Sequence, residues 1–390
     1  MTSQLTYDYI IIGAGAAGLH LAMQMAQEPF FNDKRVLLLD SDEKRTNDRT
    51  WCFWEEGIGS WDTIAKRIWK NGKVSFPGGD VSLDMGSYCY KMVRGIDFYN
   101  HARTILEKCP SIEWKLGGVV DVKSGDAMQV HCSDGSNYTA CHIFDSRMPS
   151  GYLQNATDVP AVSQHFLGWF VETEVDVFDA DRFTMMDFRV PYKNTTCFTY
   201  VLPFDARRAL VEFTLFTPEL LEMHEYEKCL REYMEKICGV KNYVISETEY
   251  GVIPMTAFDF NKSHSNNHTY IGTAGGWVKA STGYSFKNAQ RNAAKIIANI
   301  KNDLHPHKEV ALERHRAYDL LLLDIFKYRN HLGNGIFEQM YRKNKAESIF
   351  RFLDSTSSIS EDIRIISSLS PAPFLKSLSR HIPGFIRRLF

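Results

Sequence analysis

Apolar and polar positions divide the chain into stretches of distinct period. The segment "YDYIIIGAGAAGLHLAMQMA" (7–26) opens with the apolar run from Tyr9 to Ile12, crosses a cluster of glycines and continues at helical spacing. This pattern predicts a strand, a tight turn and a helix. A run so uniformly apolar suits a strand of a parallel sheet, buried on both faces. Val36-Leu-Leu-Leu39 has the same character and ends in Asp40. "YCYKMVRGIDFYNHARTIL" (88–106) reads as a strand running into a helix, and "IFDSR" (143–147) as a further strand. Strict alternation appears in "ALVEFTLFT" (209–217). It puts Val211, Phe213 and Leu215 on one face, with Leu210, Glu212, Thr214 and Phe216 on the other. Further on, "YIGTAGGWVKASTGYSFKNAQRNAAKIIANI" (270–300) predicts a strand ending at Ile271, a glycine-rich loop and a helix from about Ser285. Phe286, Ala289, Ala293, Ile296, Ile297 and Ile300 form one apolar face of that helix. Residues 305 to 354 are helix-rich and are expected to pack on the domain that holds the first glycine turn.

The first turn has chemistry written into it. Gly13, Gly15 and Gly18 give G-x-G-x-x-G between a strand and a helix, with Ala16 and Ala17 opening the helix. The first glycine makes the turn, the second lets a pyrophosphate approach the backbone, and the third lets helix pack on strand. The helix N-terminus turns free N–H groups towards the phosphates. Asp40 follows Gly18 by 22 positions, where an acid binds a ribose hydroxyl. Dinucleotide binding is therefore expected. Gly272, Gly275, Gly276 and Gly283 precede a second helix N-terminus and bring further N–H groups to an anionic ligand.

Composition narrows the function without naming it. At 390 residues two intimately connected domains are expected. A formal net charge of −2 argues against a nucleic-acid binder. The 13% aromatic content fits large buried surfaces or a pocket for an apolar or cationic guest. Eight scattered cysteines, with no zinc spacing, point to buried thiols in a reducing cytoplasm and to no metal. The first apolar run leads into the glycine motif, so no signal peptide is expected, and no run reaches the roughly 18–20 residues of a membrane span.

Two glycine loops far apart in sequence resemble the FAD domain of the hydroxylase-like flavoproteins, with Thr273 where that group usually carries aspartate. Three stretches narrow the likeness further: "NDRTWCFWE" (47–55), "VEFT" (211–214) and "GGWVKASTGYSF" (275–286). Together they resemble the FAD-dependent lycopene cyclase family, in a bacterial β-cyclase-like form with Glu-Phe-Thr where plant members carry Glu-Glu-Thr. "QHFLGWFVE", "MMDFR", "FTYVLPF", "GVIPM" and "RFLD" follow in the family's order.

The resemblance implies an α/β fold: a Rossmann-type FAD-binding domain, a β-rich substrate domain and C-terminal helices. The expected boundaries are 1–155 with 250–304 for FAD, 156–249 for substrate and 305–390 for the helices. It implies a redox-neutral cyclisation of the linear ends of lycopene that still requires reduced FAD, with NAD(P)H as electron donor. Its catalytic acid falls on Glu212. Gly13, Gly15, Ala16, Ala17, Gly18, Asp40, Arg49, Gly272, Gly275, Gly276, Thr282, Gly283 and Tyr284 are assigned to FAD. Trp51, Phe53, Trp54, Asp187 and Phe213 are assigned to the substrate pocket.

Bland readings stand beside these. By pattern alone Glu212 is a wetted strand residue. The aromatic box at 47–55 is either a wall between flavin and substrate or an anchored surface loop. Asp187 suits a salt bridge as well as a pocket, Arg94 suits solvent as well as phosphate, and His20 reads as a packed surface residue. A flavin hydroxylase or isoprenoid reductase on the same scaffold, and a non-enzymatic carotenoid binder, are the competing functions. The tail "FLKSLSRHIPGFIRRLF" carries four basic residues and no acid, and Pro383-Gly384 breaks it into two pieces. It suits an anionic membrane surface, which would put the protein on the inner face of the membrane, or it docks on its own protein.

Overall fold

The computed structural model describes residues 6–149, 159–310 and 313–389. Its first sheet is built on the apolar runs. The strand Thr6–Ile12 lies between Val36–Asp40 and Asn137–Asp145, parallel to both. Ile112–Leu116 extends the sheet beyond Val36–Asp40, and His268–Tyr270 pairs with the end of Asn137–Asp145, again in parallel. An antiparallel pair, Val119–Lys123 and Met128–Cys132, completes the other edge.

Both faces of this sheet are covered, which explains the unbroken apolar runs. Ile11 and Leu38 pack with the helices Ala16–Gln27 and Phe286–Lys301, while Ile10, Ile12, Leu37 and Leu39 pack with Met128 and Val130. The expected apolar face of the later helix is the buried one, through Phe286, Ala289, Ala293, Ile296 and Ile297.

The second sheet runs in the order Tyr243–Thr256, Ala161–Thr173, Arg208–Thr217, Cys197–Pro203, Arg182–Asp187, Asn71–Phe76 and Gly79–Leu83. All neighbours are antiparallel except Arg182–Asp187 with Asn71–Phe76. The hairpin at 71–83 thus belongs to this sheet, although the sequence reading placed it with the first domain. One face carries the helix Met223–Lys236 on Val211, Phe213 and Leu215. The other face looks towards the first domain and the C-terminal helices. A small third sheet, Thr50–Glu56, Tyr88–Arg94 and Ala65–Trp69, bridges the two.

The helices after residue 313 put their apolar face on the second sheet, and they reach the nucleotide-binding domain, where they were expected, through Asp319 with Lys279 and Asp354 with Arg291. Leu320, Leu323, Phe326 and Phe337 share a core with Phe183, Phe188, Phe198 and Phe216, and Phe326 stacks on Phe216 at 5.0 Å. The apolar inner face of that sheet is the larger surface left uncovered, so burial directs them there. Asp324, the single acid in the apolar run 320–326, is buried and binds Arg329, Arg380 and His381. It ties the last helix, Pro371–Leu389, to the helix Glu313–Tyr328. The last helix leaves helical geometry at His381 (φ −123°, ψ 17°), two residues before the expected break at Pro383. Among the described residues no helix is long and apolar enough to cross a membrane.

Candidate functional site

The glycine turn has the geometry of a phosphate cradle. Gly13 adopts φ +98°, and a Cβ there would stand 2.0 Å from Ser146 Oγ. A Cβ at Gly18 would fall 1.9 Å from the carbonyl oxygen of Gly13, so helix and turn touch through backbone. Beside Gly15 nothing lies within 4 Å, which leaves the approach a phosphate needs. The helix Ala16–Gln27 starts without a side-chain cap and without an acid in its first turn, so its N–H groups are free for an anion. Asp40 accepts hydrogen bonds from the backbone N–H groups of Ala14, at 2.5 Å, and Asp42, at 2.8 Å. The second glycine loop meets the first: a Cβ at Gly272 (φ +61°) would touch Ala17 Cβ at 3.1 Å. Two segments 255 residues apart, at Ala17 and Gly272, thus close on one place. Arg94 is not aimed at phosphates; it pairs with both oxygens of Glu247 at 2.6 and 2.7 Å. His20 is buried among Trp61, Phe98 and Phe286 rather than at the surface. Burial pushes its imidazole pKa down to about 3.

Next to this cradle a cavity of about 400 Å³ lies between the second sheet and the loop 273–286. Its floor is a row of residues set side by side by strand register. Tyr200 stands opposite Glu212, Glu212 opposite Gly168, and Gly168 opposite Glu249, across four adjacent strands. Alternation therefore predicted the face of Glu212 correctly, and that face is the cavity floor. Leu210, Glu212 and Phe216 line the cavity, while Val211, Phe213 and Leu215 lie beneath the helix Met223–Lys236.

Among the described residues Glu212 has one hydrogen-bond partner, the hydroxyl of Thr214, which donates to Oε1 at 2.8 Å. Burial first, and the nearby charge of Glu249 second, push its carboxyl pKa from the usual 4.5 up to about 8, with the Thr214 hydroxyl opposing. What surface it keeps faces the cavity. Glu249 is held more firmly: Thr50 donates its backbone N–H to Oε1 at 2.9 Å and its hydroxyl to Oε2 at 2.6 Å. Burial raises its pKa too, against those two hydrogen bonds and the charge of Arg94. Around Tyr200 three hydroxyls converge, with Tyr200 donating to Tyr90 at 2.6 Å and Tyr90 lying 3.4 Å from Tyr284.

The aromatic box divides its labour. Trp51 and Arg49 line the cavity. Phe53 stacks on Phe286 at 5.1 Å and Trp54 on Phe350 at 4.9 Å, so both support the wall from behind. Thr282, Gly283 and Tyr284 line the cavity from the loop. The hydroxyl of Thr282 and Oε1 of Gln164 are buried with no partner among the described residues, polar atoms left for a ligand. Such orphans, the open space at Gly15 and the uncapped helix fit an FAD laid from the glycine turn towards the cavity.

Two assigned residues lie elsewhere. Asp187 is fully buried, bound by Arg189 at 2.5 and 2.9 Å and by the Tyr233 hydroxyl at 2.8 Å, so its bonds are those of a salt bridge. Phe213 follows Glu212 directly and points to the opposite face, into the core. Glu249, Gly168, Tyr90 and Tyr200 were not found from sequence. Pairing register brings Glu249, Gly168 and Tyr200 into one row with Glu212, and Tyr90 joins them from the third sheet through the Tyr200 hydroxyl.

Comparison with known proteins agrees with this geometry. The family described as Lycopene cyclase protein matches residues 8–379. The chain is 24% identical over 394 residues to a lycopene beta-cyclase of Paracoccus sp. (strain N81106 / MBIC 01143), covering 95% of each. It is 23% identical to a lycopene beta-cyclase of Pantoea ananas, covering 95% of this chain and 97% of that one. Among solved structures, a variant of HpxO from Klebsiella pneumoniae complexed with FAD superposes with a TM-score of 0.60 at 15% identity, over 90% of this chain and 98% of that one. The fold is that of the FAD-dependent hydroxylase and halogenase group. With a family match across nearly its whole length and a buried acid facing a cavity beside an FAD cradle, the chain belongs to the lycopene cyclase family.

Proposed function

We propose that this protein closes the linear ends of lycopene into β-ionone rings without net redox change. The observation that carries the reading is Glu212, an acid whose raised pKa keeps it protonated at neutral pH inside an aromatic cavity. A carboxyl group in such surroundings acts as a general acid. Glu212 protonates the terminal double bond, and the chain end closes on the resulting carbocation. The rings of Trp51, Tyr90, Phe166, Phe198, Tyr200 and Phe216 face that cation, each worth roughly 0.5–2 kcal/mol of cation–π attraction. They also keep out water, which would trap the cation as an alcohol. Reduced FAD, replenished by NAD(P)H, supplies negative charge beside the cavity when bound. Gly13, Gly15, Ala16, Ala17, Gly18 and Asp40 hold its adenylate and pyrophosphate. Gly272, Gly275, Gly276, Thr282, Gly283, Tyr284 and Arg49 would hold the rest of the cofactor.

Expression in a bacterium that accumulates lycopene tests the reading. The pigment is expected to become cyclic at unchanged mass. A gain of oxygen would indicate a hydroxylase, a gain of hydrogen a reductase, and an extract of unaltered lycopene would sink the proposal.

The substrate dissolves in bilayers, and exposed apolar side chains on the C-terminal helices support a membrane contact there. Ile359, Ile363 and Ile366 form an exposed apolar face on the helix Ile359–Ser368, and Leu375 and Ile382 are exposed on the next helix. Lys376 is exposed beside them, although the inner side of that helix is docked through Arg380 and His381. On this reading the protein works from the inner face of the membrane. The pair Ile363→Glu, Leu375→Glu is expected to lower binding to anionic phosphatidylserine vesicles about tenfold or more, from lost apolar burial at about 25 cal/mol per Å² and added repulsion. Unchanged co-sedimentation would place the membrane contact elsewhere.

A further inference from the structure

Cyclisation needs two proton movements, one onto the substrate and one off it. Glu212 accounts for the first. The second needs a group that faces the same end of the substrate and carries a negative charge when the cation forms.

Glu249 meets both conditions. It lines the same cavity on the same face of the sheet, one strand beyond the neighbour of Glu212. Two strand spacings put the two backbones about 9–10 Å apart, a gap into which two glutamate side chains reach to flank one six-membered ring. The residue between them is Gly168. A Cβ there would stand 3.5 Å from Glu212 Cβ and 2.9 Å from Leu210 Cδ1, so any side chain would meet these neighbours on the cavity face. The glycine leaves room for the Leu210 side chain beside Glu212 and sets no side chain of its own between the two acids.

Hydrogen bonding decides which acid carries the charge. Both oxygens of Glu249 accept bonds from Thr50, whereas Glu212 accepts one, from Thr214. More donors favour the ionised form. Arg94 and Glu247 are the charged groups nearest to Glu249 on its other side, and they pair with each other. Of a coupled pair sharing one proton, Glu249 is thus the carboxylate and Glu212 the acid.

We propose that Glu249 is the base of the reaction, taking the proton that the ring cation loses. The assignment rests on the cyclisation reading above. In this step the C–H bond breaks, its electron pair becomes the ring double bond, and the proton passes to the Glu249 carboxylate. Glu212, ionised by the first step, regains a proton when Glu249 passes one back, so the pair again holds one proton and no oxidant or reductant is consumed. Glu249 also decides which neighbouring C–H is broken, and so the ring type.

The test uses purified protein loaded with reduced FAD and given lycopene in phosphatidylcholine liposomes, comparing wild type, Glu249→Gln and Glu249→Asp. Flavin content, rate and product identity are read together. Wild type is expected to give one ring type. Glu249→Gln should slow ring formation about 100-fold or more. Its residual product should contain water adducts or rings with a displaced double bond, with the flavin retained. Glu249→Asp should restore the wild-type product at a partial rate. A Glu249→Gln enzyme within about threefold of wild type overturns the proposal, since the loss of a base costs at least 10²-fold. So does one that is slow but makes only the wild-type product. Should the glutamine variant fail to fold, Glu249→Asp decides alone. Substrate deuterated at the carbon that loses its proton must then show a larger isotope effect than in wild type, and an equal effect overturns the proposal. A wild-type enzyme that makes no rings fails the cyclisation reading instead, a result distinct from all of these.

Discussion

Glu212→Gln is expected to abolish ring formation, with kcat falling about 10³-fold while flavin content stays that of wild type. The glutamine keeps the shape of the acid and its contact with Thr214 but has no proton to give. The same acid sets the pH profile. On the cyclisation reading it works protonated, and its pKa is raised to about 8, so the wild-type rate should fall as pH rises through 8; with Glu249 as the base, the rate should also fall at low pH, where that carboxylate takes up a proton. Stability follows the same proton. An unfolded glutamate releases it above about pH 4.5, whereas the folded protein keeps it to about 8, so this group lowers stability progressively between those values. Glu212→Gln removes that loss and should melt above wild type at pH 8. Measured rates of lycopene conversion, with a melting curve at each pH, check both parts. A glutamine variant of normal activity would remove Glu212 from its role.

The second large effect is at the phosphate turn. Gly18→Val should yield protein that holds no flavin and unfolds at much lower urea concentration. Its Cβ would meet the Gly13 carbonyl at 1.9 Å, a backbone atom that cannot swing aside, so strand and helix must separate. Gly15→Ala makes the contrast, because the space beside it is open. That variant should fold as wild type and bind FAD about tenfold or more weakly, the added methyl lying where a phosphate approaches. Flavin absorbance of the purified proteins and their urea midpoints separate the two. A Gly18→Val protein with its full flavin would show that the turn does not hold the cofactor.

What the sequence made legible is what short-range periodicity encodes. The strand Thr6–Ile12, the glycine turn and the helix after it follow from consecutive residues, because each face is specified by spacing alone. Alternation likewise put Glu212 with Leu210 and Phe216 and away from Phe213. Periodicity names a face but not the partner across it. Glu249 lies 37 residues after Glu212, and nothing local ties it to the acid; Gly168 pairing with both does so. For the same reason Asp187, two residues from Arg189, suits two readings in sequence, and it is Tyr233, from a distant helix, that closes the bridge. The C-terminal helices were legible as helices, yet their destination depended on which sheet face remained bare.

The interleaving of the two sheets bears on how the chain comes to be folded. The substrate sheet takes its hairpin from 71–83, and the nucleotide sheet waits for its last parallel strand, His268–Tyr270. The substrate sheet is complete only once Thr256 has been made and the nucleotide sheet only at Tyr270, so each must hold its exposed apolar edges through the synthesis of the other. Pairings of such long sequence separation are slow to form and vulnerable to aggregation meanwhile. On the proposed function flavin would seat where the two layers join and clasp the finished fold, so its supply during expression should govern how much soluble protein is recovered.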